Sequence, residues 1–461
     1  MSLTTTAKII KIIETMLENR LSTWEKQLHE GDLAGVETDL RDFLRELYRI
    51  IMQHLFDEIG SSNRFKNRLL VLGLRLGLSD LRLRQVRLQI GTGDWLTYKS
   101  YYAYQSNGHN QVDTRHLSQL YWGCINRASP GYFSQVSMLS VVCPSFDLAD
   151  RVLSEMGIAC NYNRIRKLSV GVGQLGCELG IAAQLDTGED MEGLRVVVQI
   201  DGGRSRMREA NGKKSKKGYQ KYDTPWREPK LIVIHTLDEK GNINETIRKP
   251  LYQASIQDAA ACMEDLVQTL KILKVDKAKE IQFLADGAPF IWKRIRKAFK
   301  KAGVAAKKIT YTLDYYHAVE HLKELSELLP WTKEERIKQF EEWKTWLWQG
   351  LANSITRNFK KHIKAAGKQL SKTMTAALNY FNRHHDRMQY KRFKRRKLLC
   401  GSGLVESAIR RVINLMFKGS SAFWCIENLD KMFLLRCALL FGRWCNLMNA
   451  IDLNIKTEGT K

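Results

Sequence analysis

Five short apolar runs constrain this chain more than anything else in it: LRVVVQIDGG from 194, KLIVIHTLDEKGN from 230, IRKPLYQAS from 247, EIQFLADGA from 280 and KITYTLDYY from 308. Each is rich in β-branched and aromatic residues and bounded by glycine or charge, the pattern of a strand. A helical stretch from about 257 to 273 separates the third run from the fourth, and a basic helix separates the fourth from the fifth. A chain patterned this way must build a sheet and cover it with helices.

Three strands, a helix and two more strands is the order of a ribonuclease-H-like core, a mixed sheet flanked by helices. Strand signals vanish over 318–395, where Trp331, Trp343, Trp346 and Trp348 stand among lysines and glutamates. The expected fold class is therefore an α/β ribonuclease-H-like catalytic core, residues 191–317 and 396–461, with an all-α insertion at 318–395. Helical and small β modules precede it. Residues 1–60 place Ile9, Ile12, Ile13 and Met16, then Leu44, Leu47, Ile50 and Ile51, at helical spacing. Residues 61–130 contain LRLRQVRLQIGTGDWLTYKSYYAYQ, an alternating pattern around a Gly-Thr-Gly-Asp turn that predicts a hairpin whose polar face Arg82, Arg84 and Arg87 make basic. After a break at SPGYF, residues 131–190 read as a helical linker domain ending in a polar linker, DTGEDMEG. Within it GVGQLG matches a dinucleotide fingerprint only formally, because RIRKLSV before it is a poor strand; small residues for close helix packing are the better reading.

Charge narrows the partners. In 461 residues, 74 Lys and Arg stand against 49 Asp and Glu, a formal net charge of +25, and the excess is clustered. Such a surface suits a polyanion. Nine cysteines without a CxxC pair read as reduced, mostly buried thiols, and no stretch has the length and apolarity of a membrane span. A cytoplasmic protein with no membrane association is expected, nucleoid-associated when bound to DNA.

The candidate chemistry lies at the strand ends. Asp201 and Asp286 each close an apolar run and precede glycine, as IDGG and ADGA, which puts two carboxylates at the rim of a sheet. Glu406 follows CGSG on a helix, and Glu406, Arg410 and Asn414 recur every fourth residue, predicting one polar stripe. Three hard oxygen ligands select Mg²⁺ or Mn²⁺, and a pair of such ions drives in-line phosphoryl displacement. Glu228 and Glu320 are rival acids for the third position. Basic residues flank the acids: Arg204, Arg206, Lys213, Lys214, Lys216 and Lys217 after Asp201, Lys293 and Arg294 after Asp286, and Lys391, Arg392, Lys394, Arg395, Arg396 and Lys397 before Glu406. These predict contacts to a phosphate backbone.

The motifs IDGGRSRMRE, WREPKLIVIHTLDEKG, FLADGAPFIWKRI, TLDYYHAVEHL and CGSGLVESAIRRVINLMFKGSSAFW followed by LRCALLFGRW resemble the DDE transposases of bacterial insertion sequences, within them the Kra type, over roughly residues 80–450. The resemblance implies a catalytic and metal-binding triad at Asp201, Asp286 and Glu406, holding two Mg²⁺ or Mn²⁺ ions. It implies cutting of transposon ends and joining of the 3′-hydroxyl to target double-stranded DNA by a homo-oligomer. Asp314 and His317 resemble an accessory Asp-x-x-His element, with Arg410 accessory on the catalytic helix. Relatives often carry paired cysteines ahead of the hairpin, and this chain has none. Two other readings stay open: a structure-selective nuclease on the same core, and a catalytically silent DNA-binding protein derived from a transposase.

Overall fold

The first unit begins with two long helices, α1 (Leu3–His29) and α2 (Leu33–Ser61). They pack through Trp24 and Phe43, whose rings meet edge-on at 5.6 Å. Asp32 starts the second by accepting the Gly35 N–H at 2.9 Å, a side-chain cap for an otherwise orphan donor. This computed structural model describes residues 3–78, 80–106, 112–419 and 423–458, and its contacts divide the chain into two units, Met1–Leu179 with Cys445–Lys461, and Gly180–Trp444.

After α3 (Asn63–Arg75) come three antiparallel strands, β1 (Asp80–Gln89), β2 (Trp95–Ser106) and β3 (Val112–His116), then α4 (Leu117–Tyr121), α5 (Pro130–Val142), α6 (Phe146–Glu155) and α7 (Tyr162–Leu179). The β1–β2 hairpin turns at Gly-Thr-Gly-Asp, but its arginines do not form a single face. The register is unbroken, so side chains alternate: Arg82 and Arg84 point the same way as buried Val86 and Leu88, and Arg87 points the other way, its guanidinium 4.9 Å from the Trp95 ring. Arg82 is paired with Asp80 at 2.8 Å. SPGYF is no break either. Ser129 caps α5 by accepting the Tyr132 N–H, and Pro130 fills the first helical position, where its missing N–H costs nothing. GVGQLG lies inside α7, with Val172, Gly173 and Gly176 buried.

The second unit is built on a five-stranded mixed sheet. Its strands are β4 (Arg195–Gly202), β9 (Lys230–Leu237), β10 (Leu251–Ser255), β11 (Glu280–Ala285) and β12 (Ile309–Leu313), in the order β10-β9-β4-β11-β12. Between β4 and β9 run four short strands, β5 (Ser205–Arg206), β6 (Glu209–Lys214), β7 (Gln220–Asp223) and β8 (Trp226–Arg227), paired β5 with β8 and β6 with β7. β9 is antiparallel to β4 and β10, whereas β4, β11 and β12 run parallel. β4 is buried from Arg195 to Ile200 on both faces, hence its near-continuous apolar sequence. One face, Val196, Val198 and Ile200 with Ile232, Ile234 and Phe283, joins a core with α8 (Ala259–Ile272), α9 (Pro289–Trp292) and α10 (Ile295–Lys301).

Everything from 315 to 395 is helical apart from its connections: α11 (Tyr315–Glu327), α12 (Lys333–Trp348), α13 (Ala352–Ala365), α14 (Lys372–His384) and α15 (Tyr390–Arg395). Trp343 is fully buried there and donates its indole N–H to Asn358 at 2.9 Å. α16 (Gly403–Ile409) packs against β4 and β9, and a π turn, Arg410–Asn414, joins it to α17 (Leu415–Phe417). The wider turn breaks the expected stripe, since Asn414 no longer stands one α-turn from Arg410. Arg436 on α18 (Ile426–Leu440) holds this turn, its buried guanidinium donating twice to the Arg411 carbonyl. α19 (Trp444–Glu458) ends the described chain.

DTGEDMEG is a packed loop rather than a linker. Its Glu189 is buried against Arg443 in a two-pronged ion pair at 2.7 and 2.8 Å, and the same guanidinium donates to the Gln184 and Lys249 carbonyls. All nine cysteines are free; four are buried and five are at least partly exposed, fewer buried than expected. Among the described residues no helix is long and apolar enough to cross a membrane.

Candidate active site

Parallel strands in adjacent positions deliver their ends to one edge of the sheet, and β4, β11 and β12 all end in acids. Asp201 is the penultimate residue of β4, Asp286 follows β11 and Asp314 follows β12. The Asp314 N–H donates to the Ala285 carbonyl at 2.9 Å, so β11 and β12 stay paired up to the acids. Local backbone anchors each carboxylate: Asp201 Oδ1 accepts the Gly202 N–H at 2.7 Å, and Asp286 Oδ1 accepts the Ala288 N–H at 3.0 Å. Asp314 is fully buried and caps α11, its Oδ1 accepting the His317 N–H at 2.7 Å.

The Cys400–Gly403 segment brings Glu406 to the same edge. Ser402 is the link, because its N–H donates to Asp314 Oδ2 and its hydroxyl donates to Glu406 Oε1. Carboxylate oxygens of Asp314 and Glu406 and a ring nitrogen of His317 lie within 4.8 Å of one another, a group able to hold a metal ion. Asp314 accepts two hydrogen bonds yet has lone pairs left for a ligand.

Electrostatics ties Asp201 and Asp286 to that group. Burial, with help from the charges of Asp286 and Glu406, pushes the Asp201 carboxyl up to about 6, against the Gly202 hydrogen bond and His317, which lower it. Burial alone would depress the His317 imidazole, but Asp314, Glu320, Asp286 and Glu406 outweigh it and hold the ring above its usual range. Four carboxylates and an imidazole therefore share one small region. Their oxygen-rich donor set suits a hard divalent cation, which would favour the ionised form of the Asp201 carboxyl that burial and neighbouring acids disfavour.

No family model and no curated protein matches the chain. Among solved structures, it is similar to a chain of the Drosophila P element transposase strand transfer complex, with 11% identity over 72% of this chain and 82% of that one, at a TM-score of 0.24. At that score the likeness supports neither a fold nor a function.

Of the rival acids, Glu320 is exposed and sits 3.3 Å from His317 Nδ1, and Glu228 is exposed with its carboxylate against Gly202. Arg410 is exposed, and among the described residues it forms no ion pair with Glu406. Sequence reasoning missed Ser402. Its signal was the serine four residues before Glu406, where a hydroxyl on the preceding turn can reach a helical carboxylate.

The flanking cations fall into different settings. Lys213, Lys214, Lys216 and Lys217 are exposed on the β6–β7 hairpin with Tyr219, and Arg204 is exposed beside its root. Arg206 lies 5.5 Å from the Trp226 ring and Arg208 lies 3.7 Å from Tyr222, so the hairpin base is laced by cation–π contacts. Lys293 and Arg294 are exposed after α9, as are Lys391, Arg392, Lys394, Arg395 and Lys397 on and after α15. Arg396 is exposed too but not free: it pairs with Glu280 and donates to Thr310 at 3.1 Å, so it anchors its segment to the sheet.

Proposed function

We propose that this protein is a DDE-type DNA transposase on a ribonuclease-H-like core, with Asp201, Asp286 and Glu406 as the metal-holding acids. One observation carries the reading: carboxylates from three separate segments converge at the ends of parallel strands in a chain of net charge +25. Mutually repelling acids persist in a fold when a cation is their partner. Two Mg²⁺ or Mn²⁺ ions there supply Lewis-acid activation of the attacking and leaving oxygens of an in-line displacement.

The chain's own residues do the rest. Ser402 and Asp314 orient Glu406, fixing which carboxylate oxygen faces the site. His317, held toward its charged form, favours a phosphate oxygen beside it. Lysines of the β6–β7 hairpin and those after α9 and α15 hold the DNA backbone. The strand-end hydroxyl freed by cutting then attacks a second duplex, which calls for two active sites on paired ends and hence an oligomer.

The test is divalent-metal-dependent cutting and joining of a labelled fragment carrying the flanking ends of the element that encodes the chain, wild type beside Asp286→Ala. Nicked and joined products that vanish in the variant, with DNA binding retained, support the reading. Nicking without joined product would turn it into a nuclease, and DNA binding without chemistry in the wild type would make it a silent DNA-binding protein.

A further inference from the structure

The segment that presents Glu406 has a second side. Ser402 faces the acids, while Gly401 and Gly403 line a cleft of about 500 Å³. Its other walls include Lys240, Lys394, Lys397, Tyr315, Tyr316 and Trp348, and no acid lines it. Among the described residues none of those three ammonium groups is in an ion pair. Three cations crowded without a counter-ion repel one another, which a bound anion would reverse.

The cleft is built rather than left over. Lys240 stands at the tip of the β9–β10 turn, where Asp238 Oδ1 accepts both the Lys240 and the Asn242 N–H groups, at 2.9 and 2.8 Å. Gly241 takes φ +84 there, and a Cβ on it would meet the Lys397 carbonyl at 2.3 Å, so only glycine lets this turn lie on the α15 end. Gly401 does the same for the aromatic wall: a Cβ would fall 2.7 Å from the Tyr316 ring. Tyr315 fixes the wall, packed edge-on against Trp348 at 5.2 Å and Tyr316 at 5.7 Å, and leaves the Tyr316 ring 66% exposed.

We propose that this cleft binds one nucleotide, its base against the Tyr316 and Trp348 rings and its phosphate on Lys240, Lys394 and Lys397. A small inorganic anion would leave the aromatic wall unused, and an apolar ligand would leave the lysines unpaired; a nucleotide satisfies both. The volume fits one such group. The nucleotide is either part of a DNA strand crossing the acids or a free mononucleotide, and both offer the same base and phosphate. The strand source rests on the reading above, because a shared wall would set the held nucleotide next to the phosphodiester at the acids.

The experiment uses the full chain and two probes: a single-stranded oligodeoxynucleotide of about 12 residues containing 2-aminopurine, and free 2-aminopurine deoxynucleoside 5′-monophosphate. Stacking on an aromatic ring quenches the probe. Tyr316→Ala is expected to remove most of the quenching, and Lys240→Gln with Lys397→Gln to weaken binding about tenfold and lower the salt slope by about 0.7 per lysine. Lys338→Gln, far along α12, is the control and should match wild type. Dependence of the oligonucleotide alone on these residues assigns the strand, and dependence of the monophosphate assigns the free nucleotide. Binding and quenching that ignore the cleft variants, or that fall equally with Lys338→Gln, overturn the proposal. Asp286→Ala should leave cleft binding within twofold, so a chain that binds here yet never cuts DNA would cost the transposase reading and not this one.

Discussion

Arg443 and Lys213 count equally toward a net charge of +25, yet they sit in opposite physical settings. Arg443 is 1% exposed, clasped by Glu189 and by backbone carbonyls, and nothing from outside can reach it. Lys213 is exposed on the β6–β7 hairpin, with no carboxylate paired to its ammonium group among the described contacts. Arg195 and Arg436 belong with Arg443, the first paired with Glu280 at 3.1 Å and the second donating to the Arg411 carbonyl. The basic excess is thus two populations, one that locks loops onto the sheet and one free for a polyanion. Both LRCALLFGRW arginines fall in the first, so a motif that carries a family resemblance is here a device of folding.

The largest test of that division is Arg443→Met. It leaves Glu189 buried and uncompensated, and breaking a buried pair from one side costs about 3–5 kcal/mol. Urea unfolding of the variant should show a midpoint lowered accordingly. The double variant Arg443→Met with Glu189→Leu should recover much of the loss, because the stranded charge is then gone. A single variant as stable as wild type would put Arg443 among the free cations.

A second test sharpens the buried side with a group that is kept neutral. His235 on β9 is 1% exposed with neither ring nitrogen hydrogen-bonded, and burial lowers its pKa to about 4. The folded value lies below the unfolded value of about 6.5, so the unfolded chain takes up the proton first as pH falls. The stability is therefore full above pH 6.5 and drains away toward pH 4, by about 3 kcal/mol in all. His235→Leu should flatten that part of the pH–stability curve. An unchanged curve would show the imidazole finding a proton partner on folding.

These buried groups also explain what was legible in advance. The sheet was readable because strands buried on both faces are almost continuously apolar, and VVVQI and IQFLA are, with one buried glutamine each. Asp201 and Asp286 were readable because an acid next to glycine at the end of such a run has few other places to go. Their convergence with Asp314, His317 and Glu406 was implied only by the family resemblance, since composition and spacing carry no register between strands far apart in the chain. Arg82, Arg84 and Arg87 were misjudged because clustering in sequence ignores the two-residue period of a strand. Glu189 and the π turn were invisible for a common reason, each being defined by a partner from another segment, Arg443 or Arg436; Ser402 showed its link to Glu406 through its place four residues earlier, but not its link to Asp314.

The smallest effect tests the free population. Lys213→Gln, Lys214→Gln, Lys216→Gln and Lys217→Gln together remove four exposed charges from a hairpin that touches none of the acids through its lysines. Thermal stability should stay within about 0.5 kcal/mol of wild type, as surface changes do. Binding to a duplex of arbitrary sequence should weaken, and the slope of log affinity against log salt should shallow by about 0.9 for each lysine that had neutralised a phosphate. The slope separates causes that affinity alone confuses: a hairpin that merely positions another contact would weaken binding at every salt concentration and leave the slope unchanged. A slope change near zero would move these lysines out of the DNA-holding group and leave Lys293, Arg294 and the α15 end to account for it.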